Sequence, residues 1–299
     1  MENNGDECIM NRIDYTLESS KVDTDKNIAI CSDLHINRNT PKEKLDDVLE
    51  TLSDIQPTHI VIPGDLYDVD DTTISTDLKQ DKVSLFIDNA SEIADVFYVK
   101  GNAEQKSNLL PYGLYNNHNE KFHLLCERNT DGKYKYVYNN GINVLGIKLP
   151  LDFYKLSECQ RTKYLLVQYK KYLEKLSKYC GNKNFNVLLC HDPIIVDAMR
   201  YLKSSNEGNT NFDLIISGHN HGGIWPDYMK PFFKLIGANM ELCYPSYTKG
   251  IVDIDKENEK MIVSEGITKF NLDFGKLQLL NRYNEGTIEN VKILSKKSK

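Results

Sequence analysis

The chain has 299 residues, a formal net charge of −6, and 10% aromatic and 27% charged residues. That length allows one large domain or two modest ones, and the composition is ordinary for a soluble globular protein. Mild acidity without a basic stripe argues against broad nucleic-acid binding, and no apolar run approaches the ~18 residues that span a bilayer.

Strand-like runs alternate with helical patterns from about residue 27 onward. NIAICS (27–32) reads as a strand, followed by a helix over about 41–55. Thr40, Pro41 and Glu43 match a capping box with proline at the first helical position, and Leu45, Val48, Leu49, Leu52 and Ile55 keep one apolar face. HIVI (59–62) is the next strand. A helix over 81–93 follows, with Val83, Phe86, Ile87, Ala90 and Ile93 in register, and then VFYV (96–99). YKYVY and NVLGIKL read as an antiparallel pair around Asn139–Gly141. A tyrosine-rich helix over 162–179 is expected to bury Leu166, Tyr169, Leu173 and Leu176. NVLLC (186–190) and DLIIS (213–217) are buried strands, and GIVDID with KMIVSE forms a closing hairpin. Trp225, Phe232, Phe233 and Leu235 are expected to pack into the core rather than meet an apolar ligand. This βαβ rhythm predicts one α/β domain with insertions, its sheet faces covered by helices.

Seven cysteines (Cys8, Cys31, Cys126, Cys159, Cys180, Cys190, Cys243) form no CxxC pair and read as reduced thiols. MENNGDECIM lacks the charged and apolar regions of a signal peptide, and the KKSK ending reads as a solvated tail. A cytoplasmic location is expected.

The residues just after the strands carry the chemistry. NIAICS runs into Asp33-Leu34-His35, HIVIP into Gly64-Asp65, and VFYVK into Gly101-Asn102. NVLLC runs into His191, and DLIIS into Gly218-His219-Asn220-His221. Ligands of open α/β sheets sit at this carboxyl edge, and four of the seven histidines fall there. Two carboxylates, one amide oxygen and four imidazoles are too many ligands for one ion, but serve two ions if Asp65 bridges. Mixed imidazole and carboxylate ligation suits manganese, iron, zinc or nickel better than calcium or magnesium. With two divalent ions, two carboxylates and a bridging hydroxide, a charge of about +1 remains and favours a phosphoryl group. His59, His118 and His123 read as structural.

These five blocks, in this order over roughly 27–265, resemble the calcineurin-like metallophosphoesterase superfamily, whose pattern is D-x-H, G-D, G-N-H-D/E, H and G-H-x-H. GHNHGG and the closing GITKFNLDFG are similar to the bacterial branch with the YkuE- and YaeI-like phosphoesterases. The resemblance implies a four-layer α/β/β/α sandwich of two mixed β-sheets flanked by helices. It divides the chain into an N-terminal extension (1–26), a metallophosphoesterase domain (27–275) with a helical insertion at about 150–182, and a C-terminal strand and basic tail (276–299). By position, Asp33, His35, Asp65 and His221 would hold one divalent metal, by preference Mn2+. Asp65, Asn102, His191 and His219 would hold the second. Asn102 would also touch the phosphoryl oxygen of a phosphorylated small-molecule, nucleotide or lipid substrate, and a metal-bridging hydroxide would attack in line. Arg38, Glu104 and Asn220 are candidate substrate contacts. Tyr67 and Asp68 are read as loop packing in preference to lining the pocket mouth, and Asp192 is expected just behind the ligands.

The chain departs from the pattern at Ala103, where the family commonly has a histidine that protonates the departing oxygen. General-acid assistance is worth ~10²–10⁴-fold. Three explanations stay open: an introduced substitution, a natural variant that uses water, Glu104, His118 or His123 instead, or a catalytically silent metal- or phosphate-binding protein.

Overall fold

The computed structural model describes residues 10–68, 82–106, 119–125, 136–139, 141–180, 183–205, 211–223, 225, 227–255, 259–268 and 286–296. Two six-stranded mixed sheets form its centre. The first contains β1 (Asn11–Ser19), β2 (Lys26–Ile30), β3 (His59–Ile62), β4 (Asp95–Tyr98), β5 (Phe122–Leu124) and β12 (Thr287–Ser295), in the order β1-β12-β2-β3-β4-β5. The second contains β6 (Tyr136–Asn139), β7 (Ile142–Ile147), β8 (Phe185–Cys190), β9 (Leu214–Ser217), β10 (Gly250–Asp253) and β11 (Lys260–Val263), in the order β10-β11-β9-β8-β7-β6.

Period-two alternation assigns each strand residue to a layer. Ile28 and Ile30 pack with Val61, Phe97, Val187, Leu189 and Ile216 between the sheets. Ala29 and Cys31 face the other way, onto helices α1 (Lys42–Ile55) and α2 (Lys82–Ile93). On the outer face of the second sheet, Leu188, Cys190 and Ile215 meet the helical segment 158–179 and α5 (Ile195–Ser204). The result is the four-layer α/β/β/α sandwich.

Some local expectations change. Thr40 makes no capping box: Pro41 is the N-cap of α1 without a side-chain bond, and the Thr40 hydroxyl instead accepts from Asn37 N at 2.9 Å. The helix over 162–179 starts earlier and is broken in phase. Its parts are α3 (Glu158–Tyr164), a π-helical turn (Leu165–Tyr169) and α4 (Lys170–Tyr179). The extra residue of a π turn rotates the following face, so Leu165 rather than Leu166 is fully buried with Leu173 and Leu176. The residues expected as an extension carry β1, paired in parallel with β12 along its whole length. Of the aromatic run near 230, Phe233 packs on Trp225, whereas Phe232 and Leu235 on α6 (Lys230–Leu235) are 53% and 85% exposed.

Candidate metal centre

The turns that leave β2, β3, β4, β8 and β9 are laced together by their own backbones. Asp33 N donates to Gly64 O at 3.2 Å, His35 N to Asp65 O at 3.0 Å, and Gly218 N to His191 O at 3.1 Å. His219 N donates to the Asp33 carboxylate at 3.1 Å, which ties one sheet to the other. Close approach depends on glycine at two points. A Cβ on Gly101 would strike the Asp65 carboxylate, and one on Gly64, whose φ is 116°, would strike the His191 ring.

Within this cage the ligand atoms of Asp33, His35 and His221 lie within 4.8 Å of one another, and so do those of Asp65, His191 and His219. Asp65 joins the two groups. Its Oδ2 is 3.6 Å from His35 Nε2 and 3.3 Å from His191 Nε2, while its Oδ1 accepts from Ala103 N at 2.8 Å.

Three imidazoles are oriented by what holds Nδ1. His191 Nδ1 donates to Pro63 O and His221 Nδ1 to Thr268 O, both at 2.9 Å, and His35 Nδ1 meets Asp68 Oδ1 at 2.6 Å. A proton held on Nδ1 leaves the Nε2 lone pair free for a cation. The Nε2 atoms of His35 and His221 are 3.3 Å apart, and those of His191 and the amide oxygen of Asn102 are buried without a hydrogen-bond partner. Buried polar atoms are normally satisfied. A set of unsatisfied nitrogen and oxygen donors converging on two carboxylates fits divalent transition-metal ions.

The electrostatics agree. Burial opposes charge on His191, yet Asp65, with Asp33 and Glu104, outweighs it and pushes the imidazole up to about 10. Burial would also raise Asp65, but His191 and then His35 hold it well below the usual carboxylate range. His219 goes the other way: burial and the neighbouring His191 hold it well below the usual imidazole value. The cluster therefore attracts positive charge, which a cation would supply in place of the His191 proton.

The sequence profile of the calcineurin-like phosphoesterases matches residues 26–223. The chain belongs to that family. Among relatives, the calcineurin-like chain is 27% identical over 213 residues to F40B5.2 of Caenorhabditis elegans, named as a metallophosphoesterase, covering 70% of this chain and 38% of that protein. It is 24% identical over 250 residues to the uncharacterised metallophosphoesterase Cj0846 of Campylobacter jejuni, covering 84% and 56%. The chain thus spans less than two thirds of either relative. A dimetal phosphatase from Danio rerio aligns with a TM-score of 0.41 at 12% identity, covering 81% of this chain and 87% of that one. NAD nucleotidase of Haemophilus influenzae aligns with a TM-score of 0.43 at 14% identity, covering 81% and 45%.

Around these candidate ligands, the remaining site candidates separate. Asn220 lines a cavity of about 610 Å³ that opens from Asn102, His219 and His221, between the segment containing Tyr154 and Arg161 and the segment containing Asn239 and Tyr247. Arg38 does not line that cavity; it is exposed, and its carbonyl accepts from Lys82. Glu104 is 2% exposed, and its carboxylate accepts from Leu66 N at 2.5 Å and Gly101 N at 2.8 Å. It therefore clamps the Asp65 and Asn102 turns rather than facing substrate, and burial with Asp65 pushes it up to about 7. Asp192 stands behind the ligands: it accepts from Arg161 at 2.9 Å and lies 3.9 Å from His219 Nε2. Asp68, read from the sequence as loop packing, instead orients His35. His59 and His123 bond Thr58 and Asp95, and His118 lies outside the described residues. Tyr154, from a 3₁₀ turn at Leu151–Lys155, and Arg161, from α3, reach the site but carry no motif that marks them in the sequence.

Proposed function

We propose that this protein is a binuclear-metal phosphoesterase. Asp33, His35, Asp65 and His221 surround one cation, and Asp65, Asn102, His191 and His219 the other. The observation that carries the reading is the Asp65 carboxylate, with one oxygen 3.6 Å from His35 and 3.3 Å from His191. Two such ions, manganese by preference with iron, zinc or nickel as alternatives, would acidify a water and neutralise phosphoryl oxygens in an in-line displacement. The chain's own groups prepare that step. Pro63 O, Thr268 O and Asp68 fix the imidazoles, Glu104 clamps the two turns, and the cavity receives the rest of the substrate.

Ala103 is 1% exposed and offers only a methyl group. Esters with good leaving groups lose least from this, and alkyl esters most. The substrate class is a phosphorylated small molecule, nucleotide or lipid, the branch is the YkuE- and YaeI-like one, and the setting is the reducing cytoplasm. Ala103 also supports a second reading, a silent protein that binds metal and a phosphorylated ligand.

The test compares this chain with Ala103→His, both with manganese, on bis(4-nitrophenyl) phosphate to detect turnover and on an alkyl phosphodiester, whose leaving alkoxide needs a proton, for the rate ratio. Two manganese equivalents should bind to both, with a rate gain of about a hundredfold or more from histidine. If both are inactive with metal bound, catalysis is refuted and the silent reading stands. Equal, robust rates would mean that another group supplies the proton.

A further inference from the structure

The Tyr154 hydroxyl is buried and makes no hydrogen bond within the protein. A buried polar group without a partner costs free energy, and in a binding site a ligand is the ordinary way to satisfy it. Tyr154 lies in the 3₁₀ turn Leu151–Lys155, and Phe153 anchors that turn in the core with its ring at right angles to that of Tyr154, 5.4 Å away. The Tyr154 ring centre is 5.1 Å from that of His219 and 6.0 Å from that of His191, so it packs against the Asp65-His191-His219 group. It also lines the cavity that Asn102 opens into.

Three features make this hydroxyl a donor rather than a bystander. A phenol carries its O–H across the neutral range. The Tyr154 ring packs on His191 and His219 and lines the cavity beside Asn102, which precedes Ala103 in the chain. Ala103, whose amide donates to Asp65, offers only a methyl group there.

We propose that Tyr154 binds substrate directly, donating its hydroxyl hydrogen bond to an oxygen of the phosphoryl group. The assignment rests on the phosphoesterase reading and adds a residue from the 3₁₀ turn to it. No proton leaves the phenol in this role; it contributes a fixed donor at the phosphoryl oxygens.

Tyr154→Phe keeps the ring and removes only the hydroxyl. The probes are manganese alone and then inorganic phosphate added to the manganese-loaded protein, followed by calorimetry and thermal melting. Tyr154→Phe should bind manganese with unchanged stoichiometry and affinity, and bind phosphate about tenfold or more weakly, the worth of one hydrogen bond to a charged partner. Without phosphate it should melt no lower than the parent, because the lost hydroxyl had no partner in the fold. With phosphate, its gain in melting temperature should be smaller. Unchanged phosphate affinity overturns the assignment. So does a melting temperature several degrees lower, or weakened manganese binding, since either gives the hydroxyl a structural role. If the parent binds manganese but no phosphate, the phosphoesterase reading itself falls, and Tyr154 falls with it.

Discussion

Asp33, His35, Asp65, His219 and His221 all hold left-handed backbone, with φ of 55°, 48°, 50°, 75° and 46°. Among the described residues, Gln56 at the end of α1 is the only other non-glycine residue with positive φ. Such a conformation costs an L-residue roughly 1–2 kcal/mol, and it persists where surrounding bonds over-determine it. Here they do, through the backbone lacing of the strand-end turns. Strain gathered on the ligands marks the site independently of any motif. His191 carries a pH prediction at this scale. In the metal-free protein its imidazole stays charged to about 10. That raised value stabilises the fold fully below about 6.5, the ordinary histidine value, and the contribution is lost as pH rises through about 10. A cation at Nε2 must expel this proton. Manganese affinity should therefore rise with pH across the neutral range, with proton release measurable by calorimetry in buffers of different ionisation enthalpy. His191→Gln should remove most of that release, and an unchanged release would place the displaced proton elsewhere.

Among the elements, β12 holds the group least suited to a sheet interior. Glu289 is fully buried, accepts from Ser264 Oγ at 2.8 Å and Glu265 N at 2.7 Å, and is pushed up to about 8 by burial. A carboxyl raised in the fold binds a proton there that the unfolded chain releases above about 4.5, so stability falls as pH climbs from there to about 8. Glu289→Gln keeps an acceptor and has nothing to ionise. It should raise stability at pH 8 by roughly 2–4 kcal/mol and flatten the dependence of urea midpoints on pH between 5 and 8. The strands that carry ligands were legible because a strand covered on both faces is a continuous apolar run, and NIAI, HIVI, FNVLLC and LIIS each end in Asp, His or a glycine turn. β1 was not, because NRIDYTLES is mostly exposed and its partner lies more than 250 residues away. The π turn was invisible for a different reason: apolar residues at 165 and 166 serve either phase, and only packing chooses. Among site residues, histidines and aspartates at strand ends announced themselves. Glu104 was legible as polar but not as a clamp, since its partners are backbone amides of another turn.

At the scale of the whole molecule, two segments close over the cavity and bond each other. Glu158 N donates to Glu241 Oε2 at 3.0 Å, and Ser246 donates to Glu158 through its amide at 2.8 Å and its hydroxyl. Glu158→Ala should loosen this clasp, raising hydrogen exchange over residues 239–247 several-fold while the melting temperature moves little. Unchanged exchange would show that Phe233, packed on Trp225 and Tyr244, holds the segment by itself. Among the described residues no helix is long and apolar enough to cross a membrane.

β12 sits between β1 and β2, and its first residue, Thr287, donates to Gly266 O at 3.0 Å. The adjoining Ile267 and Thr268 donate to Ser32 O and Asp33 O, and Thr268 O orients His221. Synthesis therefore imposes an order of events. While a ribosome is still making the stretch before residue 287, Asp33 and His35 are already about 250 residues behind, but the strand that braces their turn does not yet exist. The candidate ligands Asp33, His35 and His221 are therefore fully braced only after β12, last in chain order among the described strands, has slid into the middle of the first sheet.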